Sequence, residues 1–128
     1  MNLLIDTHVF LWMYDEHEKL SKTAKTLLTD FENDLFLSTV SIWEIQIKFK
    51  SGKLRLDDPI EVMLDEQMQA NNMIILDVKR SHAVNIINLP TFHKDPFDRM
   101  LISQAMIEDL SVMTADPQFA DYNAKVVW

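Results

Sequence analysis

Short apolar runs alternate in this chain with longer segments whose apolar residues recur at helical spacing. That alternation, more than any other feature, restricts how the chain can fold. Leu3 to Ile5, Leu35 to Leu37, Met73 to Leu76, Ser111 to Met113 and Lys125 to Val127 are short strand candidates, and the first reads as a strand buried on both faces. Between them the spacing predicts helices. A brief one spans Val9 to Tyr14, and Ser21 caps a second that runs to about Phe31, with Ala24, Leu27, Leu28 and Phe31 on its apolar side. A third starts at Ser41 and reaches about Lys50, where Gly52 ends it. Asp58-Pro59 opens a fourth, carrying Ile60, Met63, Leu64 and Met68. Ser81 to Asn88 is a fifth, stopped by Pro90. Asp95-Pro96 begins the most apolar helix, through about Glu108, and Asp116-Pro117 starts a last short turn. Strands alternating with helices imply a parallel sheet covered on both sides. The expected fold is three-layer α/β/α with a central parallel sheet of about five strands.

The chain has 128 residues, 48% of them hydrophobic, with one Gly and four Pro, so it reads as a single domain spanning residues 1–128 with little linker material. It has no Cys, which excludes disulfides, thiolate zinc sites and cysteine nucleophiles. Met1 to Asp6 lacks a basic stretch and is interrupted by an acid, so it reads as a core strand rather than a signal peptide. No apolar stretch approaches the roughly 20 residues of a membrane helix. A soluble cytoplasmic protein with no membrane partner is the expectation. The net charge of −8 argues against nucleic acid unless the acids gather and hold cations, which would reverse the local field.

Four acids stand near expected helix starts. Asp6 ends the first strand; Glu44 follows Ser41 at capping-box spacing; Asp98 lies in the first turn after Asp95-Pro96; Asp116 precedes Pro117. Taken singly, each reads as a helix-capping acid. Together they mean more, because in a parallel α/β sheet every helix begins at the carboxyl edge of the strands, where such folds bind ligands. Four dry, unpaired carboxylates on one rim would repel, whereas a divalent cation needs them there. Carboxylate oxygens without Cys select hard cations such as Mg²⁺ or Mn²⁺. Such an ion can hold phosphate, acidify a water and stabilise a leaving oxygen, so phosphodiester hydrolysis is the natural chemistry.

The same residues carry a family resemblance. Leu4-Ile5-Asp6-Thr7-His8, Ser38 to Ile45, His93 to Ala105 with its Asp95-Pro96-Phe97-Asp98-Arg99 core, and Thr114-Ala115-Asp116 with Phe119 resemble the successive motifs of PIN domains, and more narrowly the VapC-type toxins of bacterial toxin–antitoxin pairs. The resemblance runs almost end to end. It implies a cytoplasmic, dimeric ribonuclease in which Asp6, Glu44, Asp98 and Asp116 hold Mg²⁺ or Mn²⁺ and act on an RNA substrate. It also implies a cognate antitoxin that covers the groove. Asp98 matches the family position because it directly precedes the apolar Met100-to-Ala105 stretch, which leaves Asp95 as the helix cap.

Thr7, Ser41 and Thr114 read equally as site hydrogen-bond partners and as local caps. His8 and His93 could shuttle protons, but a metal-activated water needs no such base and they read as structural, with His93 in a loop near the site; Arg99 reads as a phosphate contact or, in preference, an ion-pair partner for a site acid. Lys48, Lys50, Lys53 and Arg55, and separately Lys19, Lys22 and Lys25, form basic stretches that could guide RNA but more often are a solvated face. Phe10, Trp12, Phe36, Trp43 and the Met residues are assigned to the core or a dimer face. One rival reading is a receiver-like regulatory domain, but that needs a second acid beside Asp6 and a basic residue before Asp116, and both are missing. A second is a PIN fold kept only to bind a partner, which the intact acids disfavour.

Overall fold

The computed structural model describes residues 1–128. Its sheet consists of β1 (Asn2–Ile5), β2 (Asp34–Ser38), β3 (Ile74–Leu76), β4 (Ser111–Met113) and β5 (Lys125–Val127). All neighbours are parallel, in the order β3-β2-β1-β4-β5. The helices are α1 (Thr7–Asp15), α2 (Lys22–Thr29), α3 (Thr39–Lys50), α4 (Ile60–Asn71), α5 (Arg80–Asn85) and α6 (Pro96–Glu108), with 3₁₀ turns at His17–Lys19, Ile86–Asn88 and Pro117–Asp121. The expected three-layer parallel architecture is therefore what the chain adopts.

Strand alternation divides the core. Leu3, Ile5, Leu35, Leu37 and Met113 pack with Val9, Phe10, Ala24, Leu28, Ile45, Ile60 and Met63 from α1 to α4. Leu4, Leu76 and Val112 face the opposite way, onto Leu101, Ile102, Ala105, Phe119 and Tyr122. Both faces of β1 are thus dry, which accounts for the unbroken apolar run in its sequence. Each fully buried Leu or Ile contributes roughly 1.5–3 kcal/mol.

The strand order matters for the site. From β1 the chain moves outward through β2 to β3, then crosses back to β4 on the other side of β1. The carboxyl ends of β1 and β4 are therefore a topological switch point, the crevice where open α/β sheets bind ligands. Asp6 follows β1 directly, and Thr114 and Asp116 follow β4.

Several local expectations shift. Helix α3 begins at Thr39, not Ser41, because Ser38 at the end of β2 supplies the cap, its Oγ accepting from Val40 N at 3.1 Å. The Ser41–Glu44 capping box does not form, and Glu44 lies in the second turn. Helix α2 is capped by Ser21 as expected, Oγ accepting from Ala24 N at 2.9 Å, but it stops at Thr29. Asp30 is extended there and accepts from Glu32 N, so Phe31 stands outside the apolar face, 85% exposed. Asp58 does not cap α4; it accepts from the Tyr14 hydroxyl at 2.8 Å, and Pro59 occupies the cap position. Gly52, just past α3, has φ +79°, a conformation that suits glycine. Phe10 is fully buried, but Trp43 is 61% exposed and so is no part of the core.

Candidate active site

Asp6 is fixed from both sides. Its backbone N–H donates to Met113 O at 3.0 Å, continuing the β1–β4 pairing one residue past the strand. Its carboxylate makes no cap bond to α1; instead Thr114 Oγ1 donates to Asp6 Oδ2 at 2.8 Å. The same threonine oxygen accepts from Asp116 N at 3.0 Å, so one hydroxyl ties two of the four acids together. Asp6 is 4% exposed, and burial pushes its carboxyl above the usual range. The Thr114 hydrogen bond and the charge of His8 oppose that rise, while the charge of Glu44 adds to it.

Glu44 is brought inward by its place on α3 and is 2% exposed. Thr7 Oγ1 donates to Glu44 Oε1 at 2.9 Å and lies 2.9 Å from Ser41 Oγ, whose hydroxyl is buried against it. Lys48, one turn on, donates to Glu44 Oε2 at 2.6 Å. That bond raises the lysine's pKa, helped by the charges of Glu44, Asp95 and Asp98 and opposed by burial. Thr7, Ser41 and Thr114 are therefore hydrogen-bond partners inside the site, not local caps alone.

Asp98 shows the strongest electrostatic effect. Asp95 takes the cap of α6, its Oδ1 accepting from Phe97 N and Asp98 N, which leaves the Asp98 side chain free of that duty. Asp98 is pushed up to about 8, first by burial and then by the charges of Asp95, Asp6, Glu44 and Asp116. His93 Nε2 lies 3.4 Å from Asp98 Oδ2. Asp116 keeps its capping role, Oδ1 accepting from Gln118 N at 2.9 Å.

The fold thus brings Asp6, Glu44, Asp98 and Asp116 into one electrostatic field at the switch point. No three acidic or histidine side chains converge tightly enough to form a ready-made cation cage. Two of the four have other engagements: Glu44 holds Lys48 and Asp116 caps its own helix turn. The donor set nevertheless suits a hard divalent cation. It is all carboxylate oxygen, and Asp98 is raised first by burial and then by the charges of four neighbouring acids, both of which a cation would offset.

The remaining candidates distribute differently. Arg99 makes no ion pair with a site acid; its guanidinium donates to Pro90 O at 2.6 Å and Tyr122 Oη at 3.3 Å, turned toward the loop before α6. His8 stacks on Trp12 with ring centroids 6.1 Å apart. Of the basic stretch, Lys48 joins the acids, while Lys50, Lys53 and Arg55 are exposed. Two participants escaped sequence reading. The Lys48 pairing with Glu44 was signalled by their i,i+4 spacing with the acid first. Tyr122 had no local signal, because only the fold brings it to His93.

Comparison with known proteins places the fold. The PIN-domain family profile matches residues 3–125, nearly the whole chain, and the chain belongs to that family. Its fold resembles a chain of VapBC2 from Rickettsia felis bound to a promoter DNA fragment, with TM-score 0.76 and 15% identity over 99% of this chain and 98% of that one. It also resembles DNA-bound VapBC from Salmonella typhimurium, with TM-score 0.70 and 13% identity over 99% and 97% of the two chains. VapBC-5 of Mycobacterium tuberculosis, from the VapBC family of toxin–antitoxin systems, gives TM-score 0.60 and 19% identity over 98% and 95%. No curated protein sequence matches the chain. No helix is long and apolar enough to cross a membrane.

Proposed function

We propose that this PIN domain is a divalent-metal-dependent endoribonuclease, the toxin component of a toxin–antitoxin pair. The observation that carries the reading is Asp98, a half-buried acid at the switch-point crevice whose carboxyl is pushed up to about 8 by burial and the four other acids around it. Carboxylates placed in that relation gain most from a divalent cation. The toxin assignment is supported by the structural likeness to chains of solved VapBC complexes.

In this reading Asp6, Glu44, Asp98 and Asp116 hold Mg²⁺ or Mn²⁺, which when bound supplies the positive charge that draws in the phosphodiester and lowers the pKa of water. The chain's own groups do the rest. Thr114 orients Asp6 through its hydroxyl and links it to the Asp116 backbone. Thr7 orients Glu44 from the other side. Lys48 neutralises Glu44 and would be free to face the RNA backbone if the carboxylate took a cation. The acidic surface is closed to RNA until the cation is present, consistent with a net charge of −8. RNA is the substrate, the antitoxin a partner covering the crevice, and the active form a homodimer.

The test is induced expression in a bacterial host without its partner. Growth arrest with RNA breakdown by the wild type, absent for Asp98→Asn at equal protein level, supports the reading. Equal arrest by both proteins, or intact RNA in arrested cells, contradicts it.

A further inference from the structure

His93 is the one site neighbour whose hydrogen-bonding state the surrounding network determines. Its side chain is 10% exposed, wedged between the rings of Tyr122 at 5.3 Å and Phe119 at 6.4 Å between centroids. The Tyr122 hydroxyl, itself on a buried residue, lies 2.7 Å from His93 Nδ1. That oxygen already accepts from His93 N at 3.2 Å and from Arg99 Nη1 at 3.3 Å. With its acceptor positions taken by two N–H donors, the hydroxyl gives its own proton to Nδ1 at 2.7 Å in preference to His93 O, which lies 3.5 Å away and would make the far weaker bond. A neutral imidazole that accepts at Nδ1 carries its hydrogen on Nε2. Nε2 is buried, has no hydrogen-bond partner, and faces Asp98 Oδ2 at 3.4 Å.

We infer that His93 is a positioning residue for Asp98. Tyr122 fixes its tautomer, and its Nε2–H stands 3.4 Å from Asp98 Oδ2, unbonded in the metal-free chain but placed to hold the carboxylate if it turned toward a cation on the crevice side. This rests on the metal-dependent reading above and adds a component to it. Arg99 completes the chain of support: by holding Leu89 O, Pro90 O and the Tyr122 hydroxyl, it locks the loop before α6 onto the last 3₁₀ turn. Arg99, Tyr122 and His93 thus form a line of donors whose last N–H faces the Asp98 carboxylate. Partners of this kind around a metal ligand typically matter by about 10–100-fold in metal affinity or activity.

Two substitutions separate positioning from mere support of the loop. Glutamine carries its amide nitrogen to where Nε2 sits and can donate to Asp98; asparagine reaches only the Nδ1 position and can meet Tyr122 but not Asp98. The experiment is Mn²⁺ titration by calorimetry on the full chain free of any partner, with wild type, His93→Gln, His93→Asn and Asp98→Asn, and a thermal melt of each. Positioning predicts near-wild-type Mn²⁺ affinity for His93→Gln and a loss of about 10–100-fold for His93→Asn, at similar melting temperatures. Imidazole ¹⁵N NMR of the metal-free protein reads the tautomer directly: Nε2–H in the wild type, and a mixture in Tyr122→Phe. Equal affinity of the Gln and Asn variants, or an Nδ1–H wild-type imidazole, overturns the assignment and leaves the nuclease reading standing. If the wild type takes up no Mn²⁺, or takes it up equally with Asp98→Asn, the nuclease reading falls and this assignment with it.

Discussion

Thr114 and Asp6, 108 residues apart in sequence, are joined at the centre of the sheet by a 2.8 Å hydrogen bond from Thr114 Oγ1 to Asp6 Oδ2. The bond holds down the pKa of an acid that burial pushes up, and the same oxygen receives the Asp116 amide. Thr114→Val keeps the shape and removes both interactions. The expected cost is about 1–3 kcal/mol of stability, since a buried carboxylate loses its donor and an amide its acceptor. With the lowering influence gone, Asp6 ionises at higher pH, so the acid limb of the pH–activity profile moves upward. Urea melts and a pH–rate series on the same variant check both effects.

Asp98 gives a pH dependence of stability with a definite sign. In the folded chain it holds its proton up to about 8, and in the unfolded chain only to about 3.8. Between those values the folded state binds more protons, so this group's contribution to stability is full below 3.8 and is lost as pH rises toward 8. Asp98→Asn removes the effect. Without metal, the variant melts higher than the wild type at pH 8 and the difference shrinks toward pH 4, although the variant is inactive. Thermal melts in EDTA across that range test this, and a higher-melting wild type at pH 8 contradicts it.

Lys48 is the cation that Glu44 uses when no metal is present. Breaking one side of a fully buried pair costs about 3–5 kcal/mol. Lys48 is 37% exposed, so Lys48→Met is expected to cost less, on the order of 1–3 kcal/mol. Mg²⁺ then restores more stability to the variant than to the wild type, because it supplies the charge the lysine gave. The rise in melting temperature on adding Mg²⁺, compared between the two proteins, is the measurement.

How much of this was readable in the sequence depends on the distance over which each feature is determined. Strands Ser111–Met113 and Lys125–Val127 fall where the apolar runs predict, and Asp95 caps α6 as its place directly before Pro96 implies, because strand burial and capping are local. The start of α3 is ambiguous in sequence because Ser38 and Ser41 are both good caps. The choice between them is made by the hydroxyl of Thr7, which draws Ser41 inside. Phe31 fits a helical stripe, yet the helix ends first, at an Asp that prefers its own turn. Arg99 looked like a partner for the acids beside it in sequence, but its long side chain reaches the Leu89 and Pro90 carbonyls instead. The placement of the four acids at or near junctions of a strand with its following helix was legible through topology. Their individual engagements were not, because Lys48 with Glu44 and Tyr122 with His93 are settled by side-chain geometry.

The central claim is that these four carboxylates make a metal-dependent nuclease. Its most direct test is cleavage of a mixed RNA substrate by partner-free protein in Mg²⁺ or Mn²⁺, beside EDTA and Asp6→Asn controls. Cutting is expected from the wild type with metal, none in EDTA, and none from the variant, which should remain folded because the asparagine amide oxygen can still accept the Thr114 hydroxyl and the side chain at this position caps no helix. Cutting that survives either control, or intact RNA with folded wild-type protein in both metals, would contradict it.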